Sequence, residues 1–154
     1  MNRAKIEDTL LAMGVPAGIL GFNYIVDAIQ IFDEKGTDVQ ITKELYPAVA
    51  KKNNTTPSRA ERAIRHAFER VRSCGGNPEI VNHYIGMDNC ENSSSLKTLY
   101  IRIKQDCKET EKKERHEEIA KRENETPITA LEIREIIRQE LRMFLNEMQS
   151  VQRI

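Results

Sequence analysis

The chain has 154 residues, 39% of them hydrophobic and 31% charged, with a formal net charge of zero. That length fits one domain plus an appendage, or two small domains, and the high charged share means that part of the chain adds little to a core. No Trp, five Pro and seven Gly favour helices over sheets with many tight turns, and a balanced total charge leaves the nucleic-acid question to how that charge is distributed.

Ile6, Leu10, Leu11 and Met13 recur at helical spacing, and Gly14 stops that helix. Val15-Pro16 opens the next element, because proline suits a first helical turn. Ile19, Leu20, Tyr24, Ile25, Ala28, Ile29 and Phe32 then form a wide apolar stripe that ends at Lys35-Gly36. Gly18 and Gly21 point to close packing against another helix, or simply to a looser helix start. Pro16, Gly18, Gly21, Asn23 and Asp27 interrupt the run from Gly14 to Phe32, so it is neither a signal peptide nor a membrane span.

Ile41, Leu45, Val49 and Ala50 mark a third helix, with Thr42 as its expected cap and Asn53-Asn54 as its end. Thr55-Thr56-Pro57 is a turn. A fourth helix is expected from Ser58 to Ser73, with Ala60, Ala63, Ile64, Ala67, Phe68 and Val71 facing inward. Gly75-Gly76 should end it in the left-handed conformation. Short helices follow at Ile80 to Ile85 and Leu96 to Ile103.

From Lys104 to Glu125 the chain is almost entirely charged, and Ile119 is its only large apolar residue. Glu109 and Lys113, Glu111 and Arg115, Glu117 and Lys121, and Glu118 and Arg122 are spaced four apart, which supports a solvated helix. This is a linker, helical or disordered. After Pro127, Thr129 and Glu132 carry a capping-box signature. Ile133, Ile137, Leu141, Phe144, Met148 and Val151 follow at helical steps, and Ile136 and Leu145 widen the stripe. A lone amphipathic helix cannot bury such a face. It must dock on its own domain, on a second copy or on another protein.

Cys74, Cys90 and Cys107 lie far apart and are odd in number, so a disulfide framework or a zinc site is not expected. They read as reduced thiols of a cytoplasmic protein. His66, His83 and His116 have no nucleophile or carboxylate partner at a recognisable spacing, and no glycine-rich phosphate loop is present. Neither catalysis nor a cofactor is expected.

The positive charge is concentrated. Lys51, Lys52, Arg59, Arg62, Arg65, Arg70 and Arg72 stand against Glu61 and Glu69, a surplus of five, which leaves the rest of the chain five negative. Two helices joined by a short turn, the second rich in arginine at its start, have helix-turn-helix form, and the first turn of the second helix enters the major groove. Arg59 and Arg62 are suited to guanine and Glu61 to cytosine. Ser58 and the helix N-terminus suit a phosphate, as do Arg65, His66, Lys51 and Lys52. Two plainer readings stand beside these. Ser58 with Glu61 is itself a capping box, and the arginines also fit a solvated face.

The stretch Gly14-Val-Pro-Ala-Gly-Ile-Leu-Gly-Phe-Asn-Tyr resembles the opening of the DNA-binding domain of the master regulator of sporulation in endospore-forming bacteria. Ile41-Thr-Lys-Glu-Leu-Tyr-Pro-Ala-Val-Ala-Lys-Lys and Thr55-Thr-Pro-Ser-Arg-Ala-Glu-Arg-Ala-Ile-Arg-His-Ala closely resemble its helix-turn-helix. Asn92-Ser93 and the helix after them are similar to its last element, more weakly. The resemblance covers about residues 6 to 106. It implies an all-α bundle of six helices that binds double-stranded DNA at a TGTCGAA-type box as head-to-tail pairs. It also implies that Arg59, Glu61 and Arg62 face the bases, with Ser58, Arg65 and His66 near the backbone.

The departures matter as well. The chain starts directly with the effector-like stretch, so phosphorylation of a receiver domain in the family's manner is not expected. Residues 77 to 91 differ in detail from the family, where such regions can touch a neighbouring monomer or RNA polymerase, so activator function is not implied by the resemblance. The expected organisation is a helix-turn-helix domain at 1–106, a charged linker at 107–126 and an amphipathic helix at 127–154 that joins two copies. The competing expectation is a protein that antagonises a related, full-length sporulation regulator by pairing with it or occupying its boxes. No membrane partner is expected.

Overall fold

The computed structural model describes residues 1–88, 91–125 and 130–151, without the side chains of 74, 75, 120–125, 130, 145–147 and 149–151. Among them are seven α-helices and no strand: α1 Arg3–Ala12, α2 Leu20–Lys35, α3 Tyr46–Lys52, α4 Pro57–Arg70, α5 Pro78–Ile85, α6 Asn92–Glu125 and α7 Ala130–Val151. The expected all-α architecture is what the chain adopts. It divides into two compact units, Met1–Thr110 and Glu111–Ile154. Thr129, expected to cap the last helix, lies outside the described residues.

In the first unit α2 packs against α1, α3 and α4. Ile6 and Leu10 of α1, Ile25, Ile29 and Phe32 of α2, Ile64 and Phe68 of α4, and Leu96 and Leu99 of α6 are fully buried. Burial of these faces is the main favourable term for folding.

Gly21 shows how closely α2 and α4 approach. A Cβ there would stand 2.3 Å from the main-chain oxygen of Ala63 and 2.9 Å from the Cβ of Ala67. Gly18, by contrast, faces open space. Of the two expected packing glycines, only Gly21 has that role. Pro16 does not open α2 either. Its oxygen accepts from the Ile19 amide (3.3 Å) in a turn, and α2 begins at Leu20 after an extended Ile19.

Thr42 does not cap the third helix. Residues Ile41–Leu45 form one turn of π-helix, with the Leu45 amide on the Gln40 oxygen at 3.2 Å, and α3 starts only at Tyr46. Pro47 supplies the reason. It has no N–H to donate, and its ring crowds the carbonyl four residues back, so the chain widens before the helix.

Residues Val71–Gly75 form a second wide turn after α4. Gly76 after it is extended, not left-handed. It is needed for space, since a Cβ would lie 2.5 Å from Val81 Cγ2 and 2.6 Å from the Met13 oxygen.

The expected sixth helix and the charged linker are one continuous helix, α6. Leu96, Leu99, Tyr100 and Ile103 are buried in its first part, whereas residues 108–119 are exposed throughout. The charged pairs four apart favour the helical alternative there. Cys107, on the same helix, is a free, half-buried thiol. Along α7, Ile133, Ile137, Leu141, Phe144 and Met148 are all about half exposed, at 47–59%. No helix among the described residues is long and apolar enough to cross a membrane.

Candidate nucleic-acid interface

Residues 53–56 join α3 to α4 in a tight turn. Asn54 takes a left-handed φ of 50°, which asparagine tolerates better than most residues. The Thr55 amide bonds the Ala50 oxygen at 2.9 Å. The Thr56 hydroxyl oxygen then accepts from the Arg59 amide at 3.3 Å and caps α4. The cap is thus Thr56, not Ser58. Helix α4 begins at Pro57, where a missing N–H costs nothing, and Ser58 is already its second residue.

Ala60, Ile64, Ala67 and Phe68 fix the buried face of α4. The opposite face is therefore set by the helical period. Arg59, Arg62 and His66 form one ridge of the outer surface, and all three are exposed. Neither guanidinium has a hydrogen-bond or ion-pair partner among the described residues.

Two hollows flank the ridge. On one side lie Ser58, Glu61 and Arg65 of α4, with Thr42, Tyr46 and Asn92. On the other lie Leu20 and Tyr24 of α2, beside Arg59, Arg62 and His66.

The expected site residues separate into two groups. Arg59, Arg62, Ser58, His66 and Lys51 are exposed. Glu61, Arg65 and Lys52 are engaged in ion pairs, although Arg65 and Lys52 are also exposed. Glu61 is paired with Arg65 one turn on and accepts from Asn92 Nδ2 at 3.1 Å. Its side chain does not close the capping box that the sequence suggested. Lys52 Nζ lies 2.7 Å from the buried Asp27 carboxylate and 3.1 Å from Gln30 Oε1. Asn53 Nδ2 donates to the other Asp27 oxygen at 2.6 Å. The end of α3 is thereby clamped to α2. Arg72 points inward, donating to Ser95 Oγ at 2.7 Å and to the Gly86 oxygen at 3.3 Å.

Asn92 and Leu20 carry no site signal in the sequence. Asn92 lies 31 residues beyond Glu61, too far for any local pattern. The apolar stripe places Leu20 in the core, yet it is 67% exposed. Its position as the first residue of α2 is hidden by the proline expected to open the helix. Burial is the first cause that raises the Tyr46 phenol above its usual pKa, opposed by its hydrogen bond with Asn92. It stays neutral beneath the Glu61–Arg65 pair.

The sequence that folds this way matches a known domain. A family model described as the sporulation initiation factor Spo0A C terminal matches residues 6–103. The chain belongs to this family. The Spo0A C-terminal domain is the DNA-binding effector domain of a sporulation regulator, and the family is not one of enzymes. The matched residues contain both helices of the helix-turn-helix, the ridge of α4 and Asn92. They stop before the exposed, charged part of α6 and before α7.

Proposed function

We propose that the protein is a sequence-specific transcriptional regulator that inserts α4 into the major groove of a TGTCGAA-type box. The observation that carries this reading is the ridge of Arg59 and Arg62, exposed and unpartnered among the described residues, at the start of the second helix of a Spo0A-type helix-turn-helix. Each arginine is suited to the O6 and N7 of a guanine. Ser58, His66 and Lys51 contact phosphates and set the register. Arg65 joins them by turning from Glu61. Arg65 and Asn92 both bond Glu61 through Oε1, which leaves the other carboxylate oxygen to accept from a cytosine amino group.

The second part of the proposal concerns α7, whose apolar face pairs with a second copy. Joining two DNA-reading heads raises the effective concentration of the second at an adjacent box. Such a regulator works in the cytoplasm, where the DNA is. The competing reading is an antagonist of a related sporulation regulator, and contact with RNA polymerase belongs to the activating version of the first. The exposed face of α7 supports a partner in either case.

The deciding experiment titrates the protein onto a labelled duplex carrying two such boxes and onto a shuffled duplex, at two salt concentrations. The expected result is roughly thousand-fold or greater preference for the boxes, lost in the Arg59→Ala, Arg62→Ala double variant. Equal, strongly salt-dependent binding to both duplexes would reduce the interface to phosphate contact. An effect in cells that survives loss of both arginines would favour the antagonist.

A further inference from the structure

Among the described residues of the unit Met1–Thr110, Leu20 is the most exposed large hydrophobic side chain, at 67%. It does not sit on a remote surface. It lines one hollow with Arg59, Arg62 and His66, the ridge of α4. Its backbone is held close to α4. The next residue, Gly21, packs so tightly on the backbone of α4 that a Cβ would meet the Ala63 oxygen at 2.3 Å. Helix α2 therefore cannot slide or roll against α4 without opening that contact. The Leu20 backbone is thereby placed beside the arginines.

An apolar side chain among cations gains nothing from water or from phosphate. The apolar group that a base edge offers in the major groove is the 5-methyl of thymine. Arginine and lysine recognise guanine and phosphate but have no means of favouring that methyl. We propose that Leu20 is a specificity-determining residue, which covers a thymine methyl next to the guanines that Arg59 and Arg62 read. The inference rests on the proposed insertion of α4 into the major groove. It adds a second element, α2, to the base-reading surface and an A·T contact to a site otherwise read through G·C pairs.

The test replaces each thymine of the box, one at a time, by deoxyuridine, which removes only the methyl. The full chain is compared with Leu20→Ala and Leu20→Asn, both at an exposed position, and unchanged thermal melts verify their folding. The parent protein is expected to lose about fourfold in affinity at one thymine, the value of burying one methyl-sized group. Leu20→Ala should bind the thymine duplex about fourfold more weakly and show no further loss with uracil at that position. The proposal is overturned if no uracil duplex weakens the parent protein, or if both Leu20 variants keep the same thymine preference. A parent protein that fails to distinguish box from shuffled duplex would instead overturn major-groove reading itself, and this inference with it.

Discussion

Asn92, the first residue of α6, donates from Nδ2 both to the Glu61 carboxylate at 3.1 Å and to the Glu61 main-chain oxygen at 3.3 Å. One amide thus fastens the start of α6 to the second turn of α4. Glu61 in turn holds Arg65. The bond keeps one flank of α4 in place while leaving the ridge of Arg59 and Arg62 free. Asn92→Ala would leave a half-buried carboxylate with one partner fewer. The expected cost is roughly 1–2 kcal/mol of stability, read by urea denaturation, with a loss of box affinity no larger than that of Arg62→Ala.

The two arginines and the lysine should separate in a binding assay. Arg59→Ala or Arg62→Ala should each lose on the order of 1–3 kcal/mol at the box and relax preference at one base pair. Lys51→Ala should weaken box and shuffled duplex alike and lower the salt slope by about 1. Lys52 is paired with Asp27. Lys52→Ala is therefore expected to lower the melting temperature more than the salt slope.

Gly18 and Gly21 make a matched pair of substitutions. Gly21→Ala forces α2 away from the Ala63 backbone and should destabilise by roughly 1–3 kcal/mol or more, as overpacking does. Gly18→Ala meets open space, so its effect should be near neutral. Thermal melts of the two variants read the difference directly, and equal melting temperatures would refute the tight α2–α4 contact.

Tyr84 provides a pH prediction. Its phenol donates to Asp106 Oδ2 at 2.6 Å. Burial first, and then the bond to this carboxylate, push its pKa up to about 12 from 10.0. The folded-state pKa is raised, so the stability it contributes is fully present below pH 10 and is lost as the pH climbs toward 12. Ultraviolet titration should show one phenol ionising late, and Tyr84→Phe should remove that step. The variant should also lose less stability than the parent protein across the same alkaline range.

The face of α7 is the remaining test. Ile137→Asp with Leu141→Asp places two charges in the centre of a face whose side chains are about half exposed. Light scattering should show the parent chain as an oligomer at micromolar concentration and the variant as a monomer. Two-box binding should weaken to that of a single head, whereas single-box binding should not change. A parent chain that is monomeric at that concentration would sink the pairing.

Much of this protein is written locally. Apolar residues three and four apart place the helices, and the surplus of basic residues between Lys51 and Arg72 marks the helix-turn-helix. These are properties of neighbours along the chain, and the helical period alone sets which side of α4 faces out. Where local pattern and structure part, sterics or a distant contact decided. Pro47 widened a turn, Gly76 yielded to Val81 and Met13, Ser95 drew Arg72 inward, and Asp27 took Lys52, still exposed, into an ion pair. The same holds for the bonds of Glu61 to Asn92 and for Leu20 standing beside Arg59. Both join segments more than 30 residues apart, and only packing of the helices in three dimensions brings such groups within a few ångströms.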